Sequence, residues 1–143
     1  MSEPRDEFLV KEPFDAVYQL DTSSIIRTVR EGIAFDFFRK LTSFIPFSTE
    51  DWSRVLHLTE RSLQRYKKEN KTFDSLQSEK IFQVMLLYKK GISVFGTKAL
   101  FDLWLDTISP ALGHIKPKDL LDSTFGIEMI EDELIRIEHG VLA

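Results

Sequence analysis

Five side chains near the middle of this chain have the chemistry that nucleic acids require: Arg61, Gln64, Arg65, Lys67 and Lys68. Guanidinium and carboxamide groups make the paired hydrogen bonds that tell base edges apart, and ammonium groups suit phosphates. Counted from Thr59, a helix that buries Leu63 and Tyr66 turns Glu60, Arg61, Gln64, Arg65 and Lys68 outward. The same face also describes a solvated helix rich in Arg and Lys. From Arg54 to Lys71, six bases stand against Glu60 and Glu69, a local charge of +4 in a chain of net charge −4. From Asp119 to Glu138, seven acids stand against Arg136 alone, a local charge of −6. A basic island in an acidic chain predicts two faces with different partners.

The other reactive residue types combine less well. Paired carboxylates bind metals or share protons, and Glu131-Asp132-Glu133 is the densest acidic run. Adjacent residues of a helix point about 100° apart, so these three cannot converge on one ion. They are expected on the solvated side of a helix whose other side is Ile127, Ile130, Leu134 and Ile137. His57, at an expected helix end where an imidazolium favours the dipole, His114 and His139 lie far apart, without the spacing of a triad. There is no glycine-rich phosphate loop, no zinc spacing and no cysteine. Disulfides, zinc fingers, iron–sulfur sites and thiol catalysis are thereby excluded, and the cytoplasm is the expected location. No catalytic residue, metal ligand or cofactor is predicted, and an enzyme is not expected. The apolar terminus Gly140-Val141-Leu142-Ala143 is either tucked onto its own core or inserted into a partner.

These residues need elements to hold them. A chain of 143 residues with 43% apolar and 29% charged residues suits one compact domain or two small ones. Six glycines and five prolines are too few for a many-turned β sandwich, so the prediction is all-α. No apolar run approaches the ~20 residues of a membrane span, and the acidic start is unlike a signal peptide. Residues 1–21 hold six acids, two bases and two prolines and read as a flexible acidic arm. Helical spacing begins with Thr22 and Ser23 as candidate N-caps ahead of Ile25, Ile26 and Val29, and Gly32 offers a stop. Ile33, Phe37, Phe38 and Leu41 form a second stripe, broken at Phe44-Ile45-Pro46-Phe47. Ser48-Thr49-Glu50-Asp51 is a capping box for a short helix that buries Trp52, Val55 and Leu56. Thr59 caps the next, which runs to about Lys68, with only His57 and Leu58 between them. That is helix-turn-helix spacing.

After a loop at Asn70–Ser75, the broad apolar run from Ile81 to Tyr88 predicts a central buried helix, punctuated from Gly91 to Gly96. Leu100, Phe101, Leu103, Trp104 and Leu105 form a further dense patch ended by Ser109-Pro110, and a last helix is expected from about Ile127 to Ile137.

Taken in order, Leu58-Thr59-Glu60-Arg61-Ser62 with Leu63-Gln64-Arg65-Tyr66, then Gln77-Ser78-Glu79, Val94-Phe95-Gly96, Phe101 with Trp104-Leu105, Ala111-Leu112-Gly113, Pro117 with Leu120-Leu121-Asp122, Gly126 and Arg136-Ile137-Glu138-His139-Gly140 resemble the Xre/MbcA/ParS family of antitoxins. The resemblance covers about Ile33 to Ala143. It implies an all-α chain with an Xre-like helix-turn-helix bundle at 22–76 and a small helical toxin-binding domain at 77–143. It further implies a type II antitoxin that neutralises a RES-domain, NAD-degrading toxin by inserting its C-terminus into the active site, and that binds operator DNA to repress its own operon. Arg61, Gln64, Arg65, Lys67 and Lys68 are then the expected DNA contacts. Arg136, Ile137, Glu138, His139, Gly140, Val141, Leu142 and Ala143 are the expected toxin contacts. The expected partners are the toxin, operator DNA and a second copy of the chain, in a hetero-oligomer with the toxin and without a membrane. The acidic C-terminal segment is expected to mimic the charge of the dinucleotide. The alternative is a solitary helix-turn-helix regulator without a toxin.

Overall fold

A computed structural model describes residues 19–140, and the arm expected at 1–21 therefore lies almost wholly outside the described residues. The described residues are helical, with no β-strand among them. Seven helices are described: α1 (Thr22–Glu31), α2 (Phe35–Phe44), α3 (Thr49–Leu56), α4 (Glu60–Glu69), α5 (Ser75–Phe95), α6 (Lys98–Leu105) and α7 (Thr124–Glu138). Two 3₁₀ turns, Pro110–Leu112 and Pro117–Leu120, connect α6 to α7.

Local chemistry places most of these ends. The α3 capping box is complete: the Asp51 amide donates to Ser48 Oγ at 3.0 Å and the Ser48 amide donates to Asp51 Oδ2 at 3.0 Å. Asp74 and Gln77 make the same reciprocal pair at the start of α5. Three expectations need correction. Asp21, and neither Thr22 nor Ser23, caps α1, because its carboxylate is one residue better placed to accept from the Ser24 amide at 2.8 Å. The last helix opens at Thr124, where the Ser123 hydroxyl accepts from the Gly126 amide, three residues before the apolar stripe that marks it in sequence. Gly91 does not interrupt α5. It is buried inside that helix, and a Cβ there would come within 2.3 Å of the Phe101 ring, so the glycine admits an aromatic ring from α6.

Helix α5 is the axis of the molecule. Its 21 residues extend about 31 Å at 1.5 Å per residue, and α1, α3, α6 and α7 all pack on it. Ile81, Phe82, Val84, Met85, Leu87 and Tyr88 are buried around its circumference, as a helix covered on several sides requires. Each such side chain contributes about 1.5–3 kcal/mol of burial. Aromatic rings join the layers: Phe38 meets Trp52 at 4.9 Å and Phe73 at 5.1 Å, and Tyr88 meets Phe101 at 4.9 Å, all edge-on. The chain between α1 and α2 is tied to the chain between α4 and α5. Phe73 donates its amide to the Ile33 carbonyl, Phe35 donates to the Lys71 carbonyl, and the buried Ser78 hydroxyl accepts from the Ile33 amide. Gly32, at φ 92°, lies so close to the Phe73 carbonyl that a Cβ would sit 2.4 Å from it.

Candidate functional site

The turn from α3 to α4 is tight because His57 adopts the left-handed conformation, at φ 55°. The Leu58 amide then donates to the Ser53 carbonyl, and the Ser53 hydroxyl donates to the Leu58 carbonyl. His57 Nε2 donates to the Asp122 carbonyl oxygen at 2.7 Å, so this ring faces the 3₁₀ region before α7 in addition to the end of α3. Thr59 caps α4 by accepting from the Ser62 amide at 3.0 Å. Leu63 is buried beneath α4, and Tyr66, half-buried, lies 5.2 Å from the Phe73 ring.

Two inward anchors leave the other sides of α4 to solvent. Arg61, Gln64, Arg65, Lys67 and Lys68 are all exposed. Arg61, Gln64, Arg65 and Lys68 line a shallow recess of about 430 Å³ together with Ser62 and Glu69. Lys67 lies on the neighbouring side, lining a separate cleft against α2 and α3. Among the described residues, no carboxylate lies within ion-pair distance of Arg61, Arg65, Lys67 or Lys68. A helix anchored by two side chains, with Arg61, Arg65 and Lys68 along one recess and Lys67 beside it, can lie in a groove of matching negative charge.

The second candidate region ends α7. Arg136 is engaged within the chain: its Nε and Nη2 both donate to Glu133 Oε1 at 2.9 Å. Glu133 is buried, which corrects the reading of Glu131-Asp132-Glu133 as one solvated side. It sits one position before Leu134, on the edge of the apolar stripe, and the Arg136 fork makes its burial tolerable. Glu131 and Asp132 are exposed. Desolvation first, and then the neighbouring carboxylates Glu128 and Asp132, push the Glu131 carboxyl up. Glu138 accepts from Lys90 Nζ on α5 at 2.7 Å, which holds its carboxyl below the usual range. Ile137 is half-buried, His139 caps the helix, and Gly140 turns to φ 70° in open surroundings. Val141, Leu142 and Ala143 lie outside the described residues.

Sequence reasoning did not see what joins these regions. Lys118, in the second 3₁₀ turn, donates to Asp51 Oδ2 of α3 at 3.2 Å and reaches Asp106 Oδ1 at 2.9 Å. Arg54 Nη2 binds Asp51 and Asp119, each at 2.9 Å. Burial pushes the Asp51 carboxyl up, but the Ser48 amide and the Lys118 ammonium outweigh it and hold it below the usual carboxylate range. The same carboxylate therefore caps the first helix of the helix-turn-helix and grips the segment leading to α7. The one available signal was Asp51 itself, an N3 acid read only as a cap. Among the described residues no three His, Asp or Glu side chains converge as a metal site needs, and no helix is long and apolar enough to cross a membrane.

Comparison with known proteins finds two matched regions in the chain. Residues 24–85 match the antitoxin Xre-like helix-turn-helix domain, and residues 90–140 match the antitoxin Xre/MbcA/ParS C-terminal toxin-binding domain. A protein named Antitoxin Xre from Yersinia enterocolitica is 24% identical over 120 residues, covering 83% of this chain and 81% of that one. Another of the same name from Photorhabdus laumondii is 23% identical over 116 residues, covering 80% and 78%. The two matched regions meet inside α5, between residues 85 and 90.

Proposed function

The chain belongs to the Xre/MbcA/ParS antitoxins, and from that premise we propose that it neutralises a RES-domain, NAD-degrading toxin with its C-terminus and represses its own operon through α4. The observation that carries this reading is the pairing of the two regions in one chain. An exposed cationic helix of the helix-turn-helix lies in one matched domain, and an acidic helix ends the toxin-binding one, with Val141-Leu142-Ala143 following it in sequence.

In this reading Arg61, Gln64 and Arg65 meet base edges while Lys67 and Lys68 meet phosphates. Glu60, in the first turn of α4, is the one acid at that end and weakens the approach to a phosphate. Two copies of the chain act together, because paired helix-turn-helix units read half-sites about 34 Å apart. At the other end α7 delivers the tail. Arg136 and Glu138 are held by Glu133 and Lys90, so they fix the direction of the last turn. Gly140 then lets the backbone leave the helix axis, and Val141, Leu142 and Ala143 enter the toxin cleft. Glu128, Glu131 and Asp132 present the negative charge that a dinucleotide pocket is built to receive. The chain acts as a stoichiometric inhibitor in the cytoplasm and not as an enzyme.

The test is co-elution in size-exclusion chromatography with the product of the adjacent reading frame. The full chain should travel with it as one species. A chain ending at Ile137 should elute apart while still shifting a fragment of its own promoter. Co-elution of the shortened chain with undiminished affinity would contradict the plug.

A further inference from the structure

A cleft of about 170 Å³ opens between α2, α3 and α4, on the side of α4 that carries Lys67. Phe38, Trp52 and Leu63 form its buried floor, and Arg39 of α2, Thr49 of α3, and Gln64 and Lys67 of α4 stand exposed around it. No carboxylate lines it. The Arg39 guanidinium lies 5.4 Å from the Phe35 ring, and its only carboxylate neighbour among the described residues is Asp36 at 3.7 Å, a solvent-exposed pair of little strength. Lys67, the Thr49 hydroxyl and the Gln64 carboxamide have no side-chain partner among the described residues. The cleft thus offers a cation from α2, another from α4, and free hydroxyl and amide donors, an arrangement that accepts an anion.

We propose that this cleft seats a backbone phosphate of duplex DNA, making Arg39 and Thr49 nucleic-acid contacts beside the recognition helix. The inference rests on the DNA-binding reading of α4 and extends it to two elements that carry no base-reading side chain. Continuity supports the assignment: Gln64 lines both this cleft and the recess along the exposed side of α4, so a strand lying on one passes over the other. Geometry supports it as well. When the second helix of a helix-turn-helix lies in the major groove, the first helix crosses the backbone, and Thr49 begins that first helix. In the floor, the Trp52 ring packs on the Phe38 and Phe47 rings and its Nε1 is buried without a hydrogen-bond acceptor. The exposed polar groups Arg39, Thr49, Gln64 and Lys67 all stand at the rim, so a ligand is gripped there, as a backbone phosphate is.

Phosphate contacts carry no sequence information, so a labelled 30-base-pair duplex of arbitrary sequence suffices as the probe, alongside the promoter fragment. The slope of log affinity against log salt should become shallower by about 0.9 for Arg39→Ala, equally on both duplexes. Arg39→Lys should restore it. Arg30→Ala, on α1 and lining neither the cleft nor the recess, should leave the slope unchanged. An unchanged slope in Arg39→Ala, with a loss in Arg61→Ala, would overturn the cleft and leave the DNA-binding reading standing. An equal loss in Arg30→Ala would show diffuse attraction and overturn it too. No binding by the full chain to either duplex at 50 mM salt would overturn both.

Discussion

Lys118 is held by carboxylates from two elements, and its removal has a predictable pH signature. Burial works against its charge, but the hydrogen bonds to Asp106 and Asp51 raise its pKa above the usual lysine value. Asp51 and Asp106 are correspondingly depressed. A depressed carboxyl stabilises the fold above its unfolded pKa, and that contribution is lost as pH falls through the folded value. The raised lysine loses its contribution only above its ordinary alkaline value. The wild-type chain should therefore lose stability on the acid side, below the ordinary Asp value. Lys118→Met should be less stable by roughly 1–2 kcal/mol at pH 7, with a shallower acid limb, in urea titrations at several pH values. Glu131 has the opposite sign. Its carboxyl is pushed up, so ionisation destabilises the fold, and Glu131→Gln should raise the melting temperature at pH 7 and leave it unchanged well below pH 4. At this scale the sequence was legible where chemistry is local. The Ser48–Asp51 capping box and the Thr59 cap are read from spacing alone. Glu133 was not, because its burial depends on Arg136 reaching back across a helix already packed on α5.

At the scale of elements, α5 explains both a success and a miss. Its apolar run from Ile81 to Tyr88 announces a buried helix, and the structure buries it on several sides. Gly91 has low helix propensity and reads as a break, but propensity yields where the fold needs a close approach of Phe101. Gly91→Ala, though better for an isolated helix, should destabilise the protein by roughly 1–3 kcal/mol in chemical denaturation. A stabilised variant would mean that α6 shifts aside freely. Because α5 spans the meeting point of the two matched regions, no flexible linker separates them. For α4 the expectation is sharper. Removing both Arg61 and Arg65 should abolish discrimination between promoter and arbitrary duplex, each bidentate contact being worth about 1–3 kcal/mol, while leaving the fold intact because both side chains are exposed.

For the whole molecule, the charge map read from sequence separates along the fold. The +4 segment contains α4, with its free cations outward, and the −6 segment contains α7. Arg54 of the first segment pairs with Asp119 of the second, and Asp51 pairs with Lys118 just outside them, long-range contacts that no local pattern could announce. The apolar signature of the tail falls on Val141-Leu142-Ala143, which lie outside the described residues. Changing Glu128, Glu131 and Asp132 together to Gln should weaken toxin affinity at low salt without loosening α7, because the structural acid Glu133 is spared. Unchanged affinity would remove the charge-mimicry part of the account.

The most direct test of the central claim is growth and cellular NAD during expression of the adjacent reading frame, with no antitoxin, the full chain, or the chain ending at Ile137. NAD collapse and growth arrest that the full chain prevents, and the shortened chain does not, is the predicted result. Collapse that both chains prevent equally, or that neither prevents, would contradict an antitoxin working through its C-terminus.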